Sequence, residues 1–472
     1  MRLSRFILPA FFCVYMGTSL SAVNFEIKGE FRNRGVLVMN KDANAATSDN
    51  YIIIDSRFRA WFEPVISSNL RFVYNLQVGD ISWGDLKGIA RKDESQSFSG
   101  GGSQGTEGVN LKTRQMFIRY TRDTALLDAG FIPFRTPLAY VMDSNLPGIH
   151  WRTDILGITA NLMYARAYSG PDGEKLYAGM SADLIDLSDD RNDYFFSLDR
   201  RFGKGFHLTA WAMYDDNGRF RETGPTFKKL QSDLFFWGAQ AKGDLSPAFG
   251  YSLDGVLNTG RINSLGEGSE VVNAYAFRGL LRMTPGDWNI QMQCRILSGN
   301  DTDNMEAGTS VHQFHVLDGD EGSVDSWMGI LFGGGPFNHQ SYFFYGSAAG
   351  RRLNVTKGYF VRNDPGIIAV EMCIERTVFD KTSSILLSGG FARTAHGVYA
   401  ADDKEKSFLG FEIDMGFKAL VTEGLEVYLQ LGYLFPGEAL GPTVALDSIV
   451  YPRTEIGTDP VLRADAMITV RF

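Results

Sequence analysis

The sequence of 472 residues lacks any long hydrophobic run. A helix that crosses a bilayer needs about 20 consecutive apolar residues. The apolar segment Phe6–Met16 is too short, and no later segment is apolar enough. Positive charge is also scarce, with 46 Lys and Arg against 55 Asp and Glu and a formal net charge of −9. These shortages exclude a helical membrane protein and argue against a nucleic-acid partner.

Cysteine and histidine are scarce as well: the chain has 3 cysteines and 6 histidines. A disulfide framework needs more cysteines, and the histidines are not spaced with the Cys or carboxylate ligands of a metal site. Cys294 shares its strand parity with apolar residues, whereas Cys373 shares its parity with Glu371 and Glu375. We therefore expect the two thiols to face opposite sides of a sheet without a bond, and we expect neither a metal nor a cofactor.

The amino-terminal segment predicts export. Arg2 and Arg5 precede the apolar core, and the small residues of Gly17–Ala22 offer a cleavage site after Ala22. This order is typical of a secretory signal peptide. We therefore divide the chain into a signal peptide, residues 1–22, and one domain, residues 23–472. An exported chain without membrane helices is either a soluble periplasmic protein or a closed barrel in the outer membrane of a Gram-negative-type bacterium.

Apolar and polar residues alternate along nearly the whole mature segment. In Leu425–Tyr433 every odd-numbered residue is apolar, and the even-numbered residues include Glu426 and Gln430. A strand with one apolar and one polar face suits a wall between lipid and water. Tight connections alternate with long ones, and counting them predicts about 18 strands, with 16 as the alternative. The predicted fold is all-β: a single transmembrane antiparallel β-barrel with long extracellular loops and short periplasmic turns.

The final segment, Val461–Phe472, has the same two faces and ends on an aromatic residue. It resembles the C-terminal recognition strand of bacterial outer-membrane barrels, which implies the barrel-assembly machinery as a partner. The alternative is an edge strand of a soluble sandwich. In a barrel we also expect aromatic residues such as Tyr164, Tyr214 and Trp288 to lie in two girdles at the membrane surfaces, with Phe472 in the periplasmic one.

The segment Gly299–Pro365 breaks this rhythm. It contains few alternating runs but two aromatic clusters. A connection of this length inside a compact architecture is usually functional or disordered, and its aromatic residues favour packing. We therefore predict that it folds inward to narrow a pore or lies over the mouth as a lid. Its acids, such as Asp301, Asp303 and Asp318, do not match a calcium-loop pattern and are expected to be solvated.

Three segments resemble the alginate-export family of outer-membrane porins: Leu126–Trp151, Phe337–Gly346 and Leu429–Leu440. The resemblance implies an 18-stranded barrel with an Arg-lined lumen that passes an anionic polysaccharide. The chain departs from the family at Gly130–Pro133, where the family has a Gly-Arg-Gln segment. The resemblance therefore implies the architecture rather than the substrate.

The polar faces of the predicted strands carry arginines that would line a lumen and contact solutes. An arginine can bind a carboxylate or phosphate through two hydrogen bonds, which favours anionic solutes. The alternative is that arginines pair with acids across strands, as in Arg57 with Asp55 and Arg463 with Asp465, which gives mixed selectivity. The candidate solute-contacting residues are Arg57, Arg59, Arg71, Arg114, Arg278, Arg282 and Arg295.

These patterns predict an outer-membrane porin or channel rather than an enzyme. It would pass hydrophilic solutes by diffusion or export, with carboxylate- or polysaccharide-like anions as one option, and its other partner would be outer-membrane lipid. A surface adhesin or structural protein with an occluded barrel is the alternative, and a barrel enzyme is a further one. His207 shares a lumen face with Thr209 and Trp211, but the spacing shows no serine or aspartate partner.

Overall fold

The computed structural model describes most of the chain but leaves gaps between the strands. The described residues are 24–40, 45–46, 50–82, 111–137, 141–167, 191–203, 205–221, 229–264, 268–300, 312, 314, 318–319, 326–328, 330–331, 366–379, 381–399, 405–440 and 458–472. The predicted signal peptide, residues 1–22, lies outside these ranges. No helix within the described ranges is long and apolar enough to cross a membrane.

Strands make up nearly all of the described residues. In chain order they are β1 (Asn24–Met39), β2 (Tyr51–Ser67), β3 (Leu70–Ser82), β4 (Leu111–Arg122), β5 (Ala125–Arg135), β6 (Met142–Ile155), β7 (Ile158–Ala167), β8 (Arg191–Phe202), β9 (Phe206–Arg221), β10 (Lys229–Ser246), β11 (Phe249–Ser264), β12 (Gly268–Met283), β13 (Trp288–Leu297), β14 (Asp318–Gly319), β15 (Ile367–Val378), β16 (Ser383–Tyr399), β17 (Glu405–Thr422), β18 (Leu425–Pro436) and β19 (Val461–Arg471). A three-residue 3-10 turn at Glu438–Leu440 is the one helical element among the residues that the structure describes.

Eighteen of the described strands close into one antiparallel barrel, and the two-residue strand β14 is not a member of its wall but pairs with the start of β6. Each long strand pairs with its neighbours in sequence, and β13 pairs with β15. The barrel closes where β1 pairs with β19, from Glu30 opposite Arg471 to Met39 opposite Leu462. The predicted all-β barrel of 18 strands is therefore confirmed, and the alternatives of 16 strands and of a soluble sandwich are wrong.

The outer face of the barrel is apolar and the inner face is mostly polar. On β18, Leu429, Leu431 and Tyr433 point outward and remain 47%, 44% and 39% exposed. The alternate residues Tyr428 and Gln430 point inward and are buried. An uninterrupted outer surface of this kind would be unfavourable in water and matches the lipid-facing band of a membrane barrel. The period-2 pattern of the sequence therefore corresponds to the two sides of this wall.

The tight turns gather at one end of the barrel and the long connections at the other. Between β6 and β7 the turn consists of Leu156 (φ 54°) and Gly157 (φ 75°). Two successive residues with positive φ give the turn twist that suits a two-residue hairpin. The two chain ends of the barrel, at β1 and β19, lie on the tight-turn side, because an even number of strands returns the chain to the side where it started.

Aromatic residues mark the height at which the outer face meets water. Tyr164, Tyr194, Tyr214 and Phe235 stand side by side on β7 to β10, with ring centroids 5.3, 6.0 and 4.5 Å apart in that order. The Tyr214 hydroxyl donates to Asp233 at 3.1 Å. Asp233 lies two residues from Phe235 on β10, on the side of the long connections. Rings with an apolar body and a polar tip favour the boundary between lipid and water.

Candidate functional site: the barrel lumen

The inner wall from β13 through β19 to β2 carries a continuous set of charged side chains. Arg463 on β19 pairs with Asp465 at 2.9 Å, and both are buried. On the neighbouring β1 and β2, Asp55 accepts hydrogen bonds from Arg32 at 3.4 Å and Arg34 at 2.8 Å. Alternation places all of these side chains inside, so this half of the lumen wall contains alternating positive and negative charge.

The first two predicted arginines, Arg57 and Arg59, lie on β2 within this charged wall. Arg57 is buried and donates to Glu30 on β1 at 3.0 Å. Arg59 donates to Gln77 on β3 at 2.7 Å. The sequence suggested that Arg57 would pair with Asp55, its neighbour two positions away, whereas Asp55 accepts hydrogen bonds from Arg32 and Arg34 on β1. Cross-strand register, rather than proximity in sequence, selects these pairs.

Arg71 and Arg114 lie in different settings. Arg71 faces Arg119 across β3 and β4, close to the tight turn after Ser67, and so lies near one end of the lumen. Arg114 is the extra residue of a β-bulge, because Asn75 pairs with Gln115 while the next residue of β3 pairs with Thr113. A bulge of this kind reverses the strand parity, which explains why β4 has a weak alternation in sequence.

Arg119, which was not among the predicted solute-contacting residues, makes a two-point ion pair in the lumen. Its Nε and Nη2 atoms donate to the two carboxylate oxygens of Asp128, each at 2.8 Å. Its guanidinium also lies 5.3 Å from the ring centroid of Phe117. Shared parity with Phe117, on the far side of the bulge, is the signal that places Arg119 inside.

The three remaining predicted arginines lie at two heights on β12 and β13. Arg278 donates to Asp254 at 3.1 Å, and Arg282 donates to Asp244 at 3.0 Å near the tight-turn end. Arg295 lies opposite Arg278 in register and forms an ion pair with Glu371, with both side chains almost completely buried. The structure therefore distributes the predicted arginines around and along the wall instead of gathering them in one site.

The other half of the lumen, from β3 to β13, carries a cluster of apolar side chains that the sequence reading missed. Phe195 contacts Phe134 edge-on at 5.0 Å and Trp211 at 6.0 Å between ring centroids. All three are buried in one apolar cluster. The available signal was parity: Phe195 lies between Asp193 and Ser197, which both point inward.

Part of the long connection 299–365 folds into this lumen. The described residues His312 and Phe314 follow the inner wall, where the His312 Nδ1 lies 3.0 Å from the carbonyl oxygen of Asn273 and the Phe314 ring lies 6.3 Å from that of Phe236. Farther along, β14 pairs in parallel with Met142 and Asp143 at the start of β6. The chain thus crosses from β13 to the opposite side of the barrel, which confirms the prediction that this segment folds inward.

The same connection returns to the charged wall at Ser326–Leu331. The Ser326 hydroxyl and the Trp327 amide donate to Glu371 at 2.7 and 2.8 Å. The amides of Ile330 and Leu331 donate to Glu412 at 2.6 and 2.8 Å. We call these residues the lumen segment. The predicted loop acids Asp301 and Asp303 lie outside the described residues, as does the aromatic cluster 337–345.

The two cysteines lie on opposite sides of the wall. Cys373 is buried on the lumen side, Cys294 shares the outer face with Met292, and both thiols are free. This arrangement confirms the prediction drawn from their parity. Cys373 lies opposite Ser388 on β16, and the Ser388 hydroxyl donates to the carbonyl of Trp327 at 3.4 Å, so the thiol is close to the lumen segment.

His207 has an acidic partner that its spacing in sequence did not reveal. Its Nε2 atom lies 2.6 Å from Asp199 on β8, and the Thr209 hydroxyl donates to the same carboxylate at 2.7 Å. The threonine hydroxyl is thus directed at the aspartate rather than at the imidazole. This geometry is that of a hydrogen-bonded cross-strand cluster, whereas a nucleophile would need its hydroxyl on the base.

The sequence matches no protein-family model and no curated protein. Solved structures share the fold: OccK8 (OprE) of Pseudomonas aeruginosa has a TM-score of 0.52 at 10% identity, covering 95% of this chain and 98% of that chain. OccAB2 of Acinetobacter baumannii has a TM-score of 0.52 at 11% identity, covering 95% and 98%. The outer membrane protein OprD of Pseudomonas aeruginosa has a TM-score of 0.51 at 8% identity, covering 95% and 93%. These matches show a common barrel fold.

Proposed function

We propose that this protein is an outer-membrane channel through which small hydrophilic solutes diffuse. The observation that carries the proposal is a closed 18-stranded barrel whose apolar outer face surrounds a lumen rich in charged side chains. A polar path enclosed by a lipid-facing wall lets hydrophilic solutes cross a bilayer that otherwise excludes them. The barrels of the same fold include an outer membrane protein, which supports this location.

The experiment is conductance of the refolded protein in a planar bilayer. A channel gives stepwise single-channel currents, whereas an occluded barrel that acts as an adhesin or structural protein gives none. The occluded alternative has a specific observation in its favour, because the connection after β13 crosses the lumen. A silent barrel would overturn the channel proposal and favour the surface role. A barrel enzyme has no such support among the described contacts.

The proposal includes selectivity for anions such as carboxylates or acidic polysaccharides. Arginine has five N–H donors, so an arginine paired with one carboxylate can still offer donors to a passing anion. Arg278 and Arg282 are both paired with aspartates, but they stand on the same face of β12 at successive heights. The resemblance to alginate-export porins supports the same solute class, as a proposal about the substrate rather than about the fold.

Export and assembly complete the proposal. The signal peptide, residues 1–22, would direct the chain across the inner membrane and be removed. The strand β19 followed by Phe472 would be recognised by the barrel-assembly machinery before the barrel closes against β1. Support comes from the position of β19 at the closing seam, where its last residues pair with β1.

A further inference from the structure

We infer that Glu371 and Glu412 are positioning residues that hold the lumen segment against the inner wall and so set the aperture of the channel. The inference rests on the proposed channel function and deepens it. Neither carboxylate is needed to pair the strands, since β15 and β17 satisfy their backbone groups with neighbouring strands. Both carboxylates instead bind the same inserted piece of chain.

Glu412 binds the segment through both of its oxygens. One oxygen accepts the amide of Ile330 at 2.6 Å and the other accepts the amide of Leu331 at 2.8 Å. The side chain is completely buried. Backbone amides taken from water must find an acceptor, and this one side chain supplies an acceptor to each of two adjacent amides. This carboxylate therefore fixes the two adjacent amides in one place.

Glu371 fixes the beginning of the same segment. One of its oxygens accepts the Ser326 hydroxyl and the Trp327 amide, while Arg295 forms an ion pair with the other. The Ser326 oxygen in turn accepts the amide of Met328 at 3.1 Å. The ion pair orients the Glu371 carboxylate, so Arg295 acts on the segment through Glu371.

Glycines make room for this arrangement. Gly390 on β16 lies between the two carboxylates, opposite Glu371 on one side and Glu412 on the other. A Cβ atom there would overlap the backbone oxygen of Val370 and would lie 3.1 Å from the Glu371 Cγ atom. At Gly432 on β18 an added Cβ would lie 2.5 Å from the Asp414 Oδ1 atom and 3.4 Å from the Ile330 Cδ1 atom, so this glycine leaves space for both side chains. Both glycines present bare backbone to the lumen where the segment docks.

Cys373 offers a built-in probe of the docked segment. It is 5% exposed, two residues from Glu371, and its partner Ser388 donates to the Trp327 carbonyl. In a Cys294→Ala background, Cys373 is the remaining thiol of the mature segment. The rate at which a water-soluble maleimide labels it in detergent micelles then reports whether the segment covers it, independently of any current through the pore.

The test compares Glu412→Ala and Glu371→Gln with Glu426→Gln as the matched control. Glu426 lies on the lumen face of β18, and its partners Arg471, at 2.8 Å, and Lys418, at 4.0 Å, belong to the barrel wall. We expect Cys373 labelling to accelerate about tenfold in the two test variants, because each loses hydrogen bonds between a charged acceptor and the segment, and single-channel conductance to rise. The control should label at the parent rate.

A second variant keeps the test valid if Glu412→Ala fails to fold. Leu331→Pro removes an amide donor from the segment side and leaves the barrel wall unchanged. Parent-like labelling in folded Glu412→Ala and Leu331→Pro, or equal acceleration in Glu426→Gln, would overturn the inference. Labelling that accelerates in a protein without any conductance would support the positioning role while refuting the channel proposal, so the two failures are distinguishable.

Discussion

Gly29, on the outer face of β1, leaves space for an aromatic ring. The ring of Phe472 lies over Gly29 on β1, where an added methyl group would overlap it. The two residues also exchange backbone hydrogen bonds of 2.8 and 3.1 Å, and the ring stacks near Phe58 at 6.4 Å. A glycine weakens a strand because it has no side chain to pack, and an aromatic neighbour that covers it compensates for this loss.

We predict that Gly29→Ala destabilises the barrel at its closing seam by about 1–3 kcal/mol, because the ring of Phe472 has to leave its site. Gly35→Ala is the matched control: it lies on the same face of the same strand, and its Cβ would meet nothing within 4 Å. The measurement is the temperature at which the folded band disappears in gel electrophoresis. If this temperature fell equally in the two variants, the result would contradict a specific packing site for the Phe472 ring at Gly29.

The contribution of an ion pair to the free energy of unfolding depends on how deeply the pair is buried. The side chains of Arg295 and Glu371 are 2% and 0% exposed, while those of Arg282 and Asp244 are 52% and 54% exposed. Arg295→Met leaves an unpaired buried carboxylate and should cost about 3–5 kcal/mol of unfolding free energy. Arg282→Ala should cost less than about 1 kcal/mol, since water screens that pair. Denaturant unfolding in micelles measures both, and similar losses would contradict the difference in burial.

At the scale of the strand, the alternation in sequence predicted which side chains of most strands face outward. It did not predict the bulge in β4 or the partners of individual arginines. The outward side chains of β18 follow from period 2 alone, because every second residue faces lipid. Arg114 could not be placed, because the bulge beside it depends on the register between β3 and β4. The partner of Arg57 could not be predicted from the sequence either, because Glu30 lies 27 positions away and only cross-strand register brings the two together.

The apolar half of the lumen was missed for a different physical reason. A porin model expects water on the inner face, so aromatic residues with inward parity looked like exceptions in otherwise polar runs. In the structure they contact one another across β5, β8 and β9 and form a core of their own. The inward course of the segment after β13 was predictable from its aromatic content, but its contacts with Glu371 and Glu412 depend on the folded path.

The apolar cluster in the lumen predicts that substitutions on the two faces of β8 differ in their effect on stability. Phe195 points inward against Phe134 and Trp211, and Phe196 points outward and is 41% exposed. Phe195→Ala should cost about 3–5 kcal/mol through the cavity it leaves. Phe196→Ala should cost less, because lipid or detergent fills the space. Denaturant midpoints of the two variants provide the measurement, and an equal or larger loss at Phe196 would contradict a packed lumen core.

At the scale of the whole molecule, charge is balanced across strands rather than concentrated in a ring. The charged wall from β13 to β2 alternates arginines with carboxylates, and the wall from β3 to β12 carries further ion pairs, such as Arg119 with Asp128 and Arg278 with Asp254, beside the apolar cluster. Arginines with acidic partners therefore lie on both sides of the lumen. Removing a single cation from such a balanced wall leaves its acidic partner uncompensated, which makes ion selectivity sensitive to individual arginines.

Reversal potential across a salt gradient tests this sensitivity. The parent should prefer anions, and the double variant Arg278→Ala with Arg282→Ala should shift towards cations, because Asp254 and Asp244 lose their partners. The shift should shrink at high salt, since the screening length is about 10 Å at 0.1 M. Arg376→Ala is the control, because Arg376 lies over Trp288 on the outer face and its loss removes the same charge outside the lumen. Cation preference in the parent, or an unchanged potential in the double variant, would leave a general porin without anion selectivity.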